Sequence, residues 1–372
     1  QNLPEVGGIS EQVEDEIAAA ALALGASHAG VKAMSGSSGG GFALMSEPLG
    51  LAEMTETPVV LVEAMRAGPS TGMPTKPEQA DLEHVLYTSQ GDSHRVVFAP
   101  SDAVEAYKQT RRAFQIAYEY QIPSIVLYDQ KNGGELQNVP ASVFDEEPNA
   151  DLGSVITEEE LVDAPHDPSG KYNRFQHDVE DGVSPRSIPG QKGGRYLATG
   201  NEHMPAGHIA EDPDNRVNQV DRRMEKMEAI RADLDADEET NTHYGPEEAE
   251  YGIMTFGSQQ GTVEEAVDRL NDDGHSVKML GVSEMAPYPV EEVTEFVESV
   301  DEVLVVEMNA SAQFRGLTQK ELGRYGEKLS SLLKYNGNPF EPAEIVDGFV
   351  TSIVEDGTLP GHETKFVPAA SD

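Results

Sequence analysis

Thr57-Pro58-Val59-Val60-Leu61-Val62-Glu63-Ala64-Met65 runs directly into Arg66-Ala67-Gly68-Pro69-Ser70-Thr71-Gly72-Met73-Pro74-Thr75-Lys76. The first stretch reads as a strand, and the second places a fixed cation and several small donors at its carboxyl end. In open parallel α/β sheets ligands bind in the crevice beyond the strand ends, and Arg followed by Gly, Ser and Thr suits a carboxylate or phosphate. The glycines let backbone N–H groups approach an anion closely. Taken alone, the junction also fits a tight turn whose Arg pairs with a neighbouring acid.

Outward from this junction, helix and strand alternate from Glu14 to Asp129. Ile17 to Leu24 has helical Ala and Leu density and is expected to stop at Gly25. A short strand at Val31 to Met34 precedes a Ser/Gly turn and a helix from Phe42 to about Met54. After the anion loop come a helix near Glu78, a strand at Arg95 to Ala99, a helix from Ser101 to Tyr120 and a strand at Ser124 to Tyr128. Apolar strands separated by helices imply a parallel sheet covered on both faces. From Asn132 to about Glu247 the periodicity fails, which predicts a linker wrapped over the core. Within it, Arg216 to Asp235 reads as one charged helix with a narrow apolar stripe. A second α/β pattern starts with the strand Tyr251 to Phe256 and its Gly257-Ser258-Gln259-Gln260-Gly261 turn. It continues with a helix at Thr262 to Asp272, a strand at Ser276 to Leu280, a helix at Val290 to Val297 and a strand at Glu302 to Met308. The expected divisions are therefore 1–131, a linker at 132–247, a second domain at 248–358 and a frayed tail at 359–372.

The chain has 372 residues and a net charge of -41, from 67 acids against 26 bases. That balance lacks the basic footprint that nucleic acids and anionic membranes require. The acids recur along a chain that keeps its apolar periodicity, the pattern of a protein from a salt-rich cytoplasm, where screening removes self-repulsion. With no Cys, the chain cannot hold an iron–sulfur cluster through thiolates, so any cluster sits on a partner. The longest small-apolar run, Ile17 to Ala26, is too short to span a bilayer, and no signal peptide is visible. Gln1 opens the approach to a strand, which suggests a missing N-terminal part.

Three features could carry chemistry. Gln12-Val13-Glu14-Asp15-Glu16 places acids in a helix's first turn, favourable for the helix dipole alone, or available to a nitrogen heterocycle if one carboxylate faces inward. Gly36-Ser37-Ser38-Gly39-Gly40-Gly41 joins strand to helix, where backbone can approach a ring or phosphate. It also contains G-x-S-x-G, which would make Ser38 a hydrolase nucleophile, but that fold needs strands and an oxyanion loop upstream. The ten His residues show no metal-ligand spacing, and no metal site is expected.

Taken in order, Gln12 to Ala19, Ser38-Gly39-Gly40-Gly41-Phe42 to Glu47, Met54 to Pro58 and Arg66 to Thr75 resemble the alpha subunit of 2-oxoacid:ferredoxin oxidoreductases. Gly91-Asp92, Ser184 to Gly190, Gly194 to His203, Val306-Glu307-Met308-Asn309 and Gln313 extend the likeness over nearly the whole chain. The resemblance implies a pyrimidine-binding module for thiamine diphosphate followed by a transketolase C-terminal-like module. It implies a cofactor shared with a beta subunit that supplies Mg²⁺ ligands and a [4Fe-4S] cluster, with ferredoxin, coenzyme A and a 2-oxoacid (2-oxoglutarate or pyruvate) as partners and substrates, in the cytoplasm. Glu14 matches the glutamate that hydrogen-bonds the aminopyrimidine ring. Arg66 and Thr75 match the residues that hold the substrate carboxylate, and Ser38, Gly39 and Phe42 fall in the cofactor turn. Two departures stand out: the Tyr-Pro-Ile-Thr-Pro segment with its substrate-binding Thr is absent, and Ser-Gly-Gly-Gly replaces Ser-Gly-Pro-Gly. A hydrolase centred on Ser38 and a non-catalytic scaffold of the same fold are the competing readings.

Overall fold

The strand that opens the anion loop is fully enclosed: every residue from Val59 to Met65 is buried or partly buried. In the computed structural model, which describes residues 5, 7–145, 149–236, 240–355 and the backbone of 364–366, it is the second of eleven strands. These are β1 (Met34–Ser37), β2 (Val59–Met65), β3 (Val96–Phe98), β4 (Pro123–Asp129), β5 (Thr242–Tyr244), β6 (Tyr251–Thr255), β7 (Val277–Gly281), β8 (Glu284–Ala286), β9 (Glu302–Glu307), β10 (Leu329–Leu333) and β11 (Thr364–Phe366). They form two sheets, ordered β1-β2-β4-β3-β8 and β11-β10-β9-β6-β7-β5.

Both sheets are parallel except at one edge, where β8 runs antiparallel to β3 and β5 antiparallel to β7. The sequence predicts parallel sheets alone; β5 and β8 are three residues each, too short to register as periodic runs. The strand that closes the first sheet thus comes from the second half of the chain.

Period-two alternation divides β2 between two cores. Val59, Leu61 and Met65 join Phe42, Leu127, Met254, Phe256, Phe314 and others in the core shared by the two sheets. Val60 faces the opposite way, toward Phe98, Ile116, Val126, Ile230 and Leu234. Each fully buried Leu or Met side chain contributes roughly 1.5–3 kcal/mol, so the shared core holds the two sheets together strongly. A third cluster, with Val263, Leu270, Ile345 and Phe349, covers the outer face of the second sheet.

Several element boundaries differ from expectation. The first helix runs Glu16–His28, straight through Gly25, whose carbonyl accepts from Ala29 N–H; the chain leaves the helix at Gly30, φ 92°. Gly is tolerated inside a well-packed helix, but the left-handed turn at its end requires one. The first short strand lies at Met34–Ser37, so it takes in half of the expected Ser/Gly turn. The expected helix from Phe42 to Met54 is two helices, Gly40–Ala43 and Ser46–Met54. Pro48 explains the break: it lacks an N–H and fits only in a helix's first turn.

The irregular stretch after β4 is pinned to the first sheet. Arg174, 1% exposed, donates to Glu56 O, Ser184 O and Gln121 Oε1, and Arg186 donates to Ser27 O. The charged helix extends over Pro213–Asp235 and buries a short apolar stripe, Ile230 and Leu234, together with charged groups the sequence did not place inside. Its Arg222 and Lys226 both pair with Glu56, and all three are at most 4% exposed at the side chain. Residues 1–4 and 6 fall outside the described residues, as does most of the expected tail; 364–366 pair with β10.

Candidate active site at the strand ends

At the carboxyl end of β1 the chain turns through Ser38 and Gly39 into the helix Gly40–Ala43. Gly39 has φ 53° and ψ -115°, a conformation that a residue with a Cβ rarely adopts. Its N–H donates to Glu63 Oε1 on β2 at 2.7 Å. A Cβ on Gly41 would lie 2.1 Å from Ser37 Oγ and 2.6 Å from Glu16 Oε1, so the glycines keep a narrow cradle open. The start of the first helix forms one wall of that cradle, because Ser37 Oγ donates to Glu16 Oε1 at 3.2 Å.

The three acids at this helix start have separate places. Asp15 is the N-cap, accepting from Ala18 N–H at 2.8 Å. Glu16 faces Ser37. Glu14 is exposed, and it makes no side-chain hydrogen bond or ion pair among the described residues, so its carboxylate is open to a group arriving from outside.

Arg66 leaves β2 directly above the Gly39 turn, its Nε 3.4 Å from where a Gly39 Cβ would sit. That Nε is buried and has no hydrogen-bond partner among the described residues. The tight-turn reading requires a carboxylate hydrogen-bonded to this guanidinium, and among the described residues none is, although Glu63 and Asp81 lie near enough to feel its charge. The following loop is closed at its base by Ala67 N–H on Lys76 O at 2.9 Å, with Met73 N–H on Ala67 O at 2.8 Å and Gly68 N–H on Glu78 Oε2 at 2.9 Å. Gly72, φ 53°, permits this closure, since a Cβ there would meet Ala67 O at 1.9 Å. Thr75 lies exposed just before the closing residue Lys76.

Ser38 is partly buried, and its hydroxyl has no imidazole partner among the described residues, which removes the arrangement a hydrolase needs. Phe42 is fully buried and meets His84 edge-on, with centroids 5.9 Å apart, so it anchors the turn from below. The structure thus brings Gly39 and Arg66 together, with Ser38 in the same turn and Thr75 at the loop's closing end; it sends Phe42 into the core.

Sequence reasoning missed Glu63 and Asp81. Glu63 is 0% exposed, and burial pushes its pKa up to about 9, with the Asp81 carboxyl adding to the rise and the Gly39 N–H and Arg66 opposing it. Burial raises Asp81 as well. The only signal was an acid at an inward position of an apolar strand. A second omission is Gln79, fully buried just after the loop, which bonds β9's end, Phe256 O and Asp129 at the end of β4. Asp129 in turn accepts from Ser258 N–H in the second domain's first turn.

A glycine cradle between strand ends, topped by a guanidinium whose Nε has no partner among the described residues and backed by a second α/β domain, defines a two-domain α/β protein with a polar crevice at the strand carboxyl ends. The chain belongs to the pyruvate flavodoxin/ferredoxin oxidoreductase family: residues 5–222 match its thiamine diphosphate-binding region, and residues 249–345 match pyruvate:ferredoxin oxidoreductase core domain II. It is 34% identical over 348 residues to the alpha subunit of 2-oxoacid:ferredoxin oxidoreductase 1 of Sulfurisphaera tokodaii, covering 93% of this chain and 52% of that relative. It is 32% identical over 350 residues to the 2-oxoglutarate synthase subunit KorA of Methanothermobacter thermautotrophicus, covering 93% of this chain and 87% of that subunit. A solved 2-oxoglutarate:ferredoxin oxidoreductase from Magnetococcus marinus, with 2-oxoglutarate, coenzyme A and succinyl-CoA bound, superposes with a TM-score of 0.81 at 35% identity. That match covers 94% of this chain and 58% of the other. The chain therefore spans about half the length of several of the relatives it matches.

Proposed function

We propose that this chain is the alpha subunit of a 2-oxoacid:ferredoxin oxidoreductase, active with a beta subunit. In the proposed reaction a 2-oxoacid, 2-oxoglutarate or pyruvate, loses CO₂, its acyl group passes to coenzyme A, and the electrons pass to ferredoxin. The observation that carries this reading is the buried, unpartnered Arg66 Nε over the Gly39 cradle, where a substrate carboxylate would satisfy it. The relatives named 2-oxoacid:ferredoxin oxidoreductase and 2-oxoglutarate synthase supply the substrate class.

The cradle also fits thiamine diphosphate, because Gly39 and Gly41 hold open space that side chains would fill. When bound, that cofactor supplies the carbon nucleophile and the electron sink for decarboxylation. In this reading Glu14 hydrogen-bonds its aminopyrimidine ring from the exposed helix start, Ser38 and Gly39 face it, and Phe42 fixes the turn from beneath. Arg66 and Thr75 orient the substrate carboxylate. Mg²⁺ ligands and the [4Fe-4S] cluster belong to the beta subunit, consistent with a chain that has no Cys. The acidic surface suits a saline cytoplasm, and among the described residues no helix is long and apolar enough to cross a membrane.

Co-expression with a beta subunit, followed by assay of CO₂ release and ferredoxin reduction over several 2-oxoacids, tests the proposal. Coenzyme A-dependent ferredoxin reduction with 2-oxoglutarate or pyruvate is expected. An assembled, cofactor-loaded complex that reduces no ferredoxin with any 2-oxoacid would favour the scaffold reading.

A further inference from the structure

Strand alternation places Glu63 on the β2 face whose other members, Val59, Leu61 and Met65, are all core residues. A carboxyl group there is costly unless each oxygen is partnered. Oε1 accepts the Gly39 N–H at 2.7 Å. Oε2 is buried and receives no N–H or hydroxyl donor among the described residues, and the Asp81 carboxyl lies against the Glu63 side chain. Two ionised carboxylates are both acceptors, so the contact is satisfied only when one proton lies between them. Arg66 faces both acids as well as Gly39.

We propose that Glu63 and Asp81 are positioning residues for 2-oxoacid binding: a hydrogen-bonded carboxyl pair that fixes the Gly39 turn and leaves the Arg66 guanidinium free for the substrate carboxylate. This rests on the reading of Arg66 as the carboxylate grip. With one shared proton the pair carries a single negative charge. If that proton is lost, two charges stand together in a dry site, and Arg66 is the cation within reach to neutralise them. A guanidinium drawn down onto the pair is lost to the substrate.

The groups around the pair are few. Tyr128 on β4 faces Glu63, Glu78 lies beside Asp81, and His84 from the helix Leu82–Tyr87 acts on Asp81. Burial raises Glu78 and Tyr128 above their ordinary values too. With Glu63 ionising near pH 9, the pair keeps its proton at neutral pH and loses it in mild alkali.

The test is the pH dependence of KM and kcat, from about pH 6 to 10, for the assembled enzyme carrying wild-type chain, Glu63→Gln or Glu63→Leu. In the wild type, KM for the 2-oxoacid should rise about tenfold toward pH 10, with a smaller change in kcat, as losing one charge-assisted contact implies. Glu63→Gln keeps an acceptor for Gly39 and a permanent donor for Asp81, so it should retain the neutral-pH KM and lose the alkaline rise. Glu63→Leu leaves the Gly39 N–H and Asp81 without partners and should raise KM about tenfold or more at every pH. An alkaline rise unchanged in Glu63→Gln overturns the inference, as does a wild-type KM in Glu63→Leu. If Glu63→Leu does not assemble, the Glu63→Gln profile decides alone. The two readings separate cleanly: Arg66→Ala raising KM while Glu63→Gln behaves as wild type sinks only the pair. An assembled complex with no 2-oxoacid oxidation sinks the functional reading and the pair's role with it.

Discussion

Gln79 and Met308 clasp one another in both directions: Gln79 N–H donates to Met308 O at 2.6 Å, and Met308 N–H donates to Gln79 Oε1 at 2.9 Å. Gln79 Nε2 donates further to Phe256 O at 2.8 Å, and Asn309 Nδ2 donates to Gln79 O at 3.0 Å. One side chain three residues beyond the anion loop therefore joins the first sheet's strand ends to those of the second.

Replacing Gln79 with Leu preserves volume and removes every bond made by its own side chain, leaving the Met308 N–H and Phe256 O buried without partners. At 1–3 kcal/mol for each orphaned group, the variant should lose about 2–5 kcal/mol of unfolding free energy in urea. A loss under about 1 kcal/mol would show that the shared apolar core alone sets the packing of the two sheets.

Glu56 makes the second prediction. It sits at φ 45° between the helix Ser46–Met54 and β2, and it binds Arg222 and Lys226 of the long charged helix. Burial alone would push its pKa up, but the two cations and Arg174 outweigh burial and hold it well below the ordinary carboxylate value. Glu56→Gln strands two buried cations and should cost about 3–5 kcal/mol. Because the folded-state pKa is depressed, this stabilisation is present above the unfolded carboxylate range and is lost as pH falls through the folded value. Urea titrations between about pH 3 and 7 should show the wild-type advantage over Glu56→Gln shrinking toward acid. An advantage constant with pH would mean that the pair is not ionised in the way its geometry requires.

These networks mark the limit of what the sequence discloses. β2 and its loop are legible because a buried parallel strand writes a continuous apolar run, and because Arg, Gly, Ser and Thr must be local to share one loop. β10 is not legible: Leu329-Ser330-Ser331-Leu332-Leu333 is buried throughout, yet its central serines break the apolar run. The charged helix and its narrow apolar stripe were visible, but its buried cations were not, since Arg222 and Lys226 find Glu56 across more than 160 residues of chain. The same holds in the site. Glu14 and Arg66 stand in recognisable motifs, whereas the Glu63 contact with Asp81 exists only once the loop folds back onto the strand. Phe42, adjacent to the turn in sequence, points away from it because the short helix Gly40–Ala43 carries it into the core.

The charge of -41 predicts salt dependence. The Debye length falls from about 10 Å at 0.1 M to about 3 Å at 1 M, so repulsion between surface acids is largely screened only in strong salt. The melting temperature should climb steadily from millimolar to molar KCl, and assembly with the beta subunit should follow. A flat profile would count against the saline-cytoplasm reading.

Glu14 is exposed in the chain and is proposed to meet the cofactor's aminopyrimidine ring. In the assembled enzyme Glu14→Gln should keep cofactor content and slow deuterium exchange at the cofactor's C2 by about a hundredfold or more, the range for losing a positioned acid–base group. Glu16→Gln should act less, because Glu16 is engaged by Ser37. Equal effects from the two variants, or none from Glu14→Gln, would return Glu14 to a helix-dipole role.

Arg66 bears the heaviest load in the proposed function. Its planar fork can grip a carboxylate with two parallel bonds, which a lysine's point charge cannot reproduce. Arg66→Ala removes a charge-assisted contact of roughly 1.5–3 kcal/mol, so the apparent affinity for the 2-oxoacid should fall on the order of ten- to a hundredfold. Arg66→Lys should fall between wild type and Ala. Thr75→Val should weaken binding in the same direction but less, since it deletes a neutral hydroxyl. Folding should survive all three, because Arg66 Nε has no partner among the described residues to lose and Thr75 is exposed. Cofactor content and beta-subunit assembly should survive too, which separates a substrate grip from a structural ion pair. An Arg66→Ala enzyme that assembles poorly yet binds 2-oxoacid with wild-type affinity would make the loop a scaffold, and the carboxylate site would have to lie elsewhere.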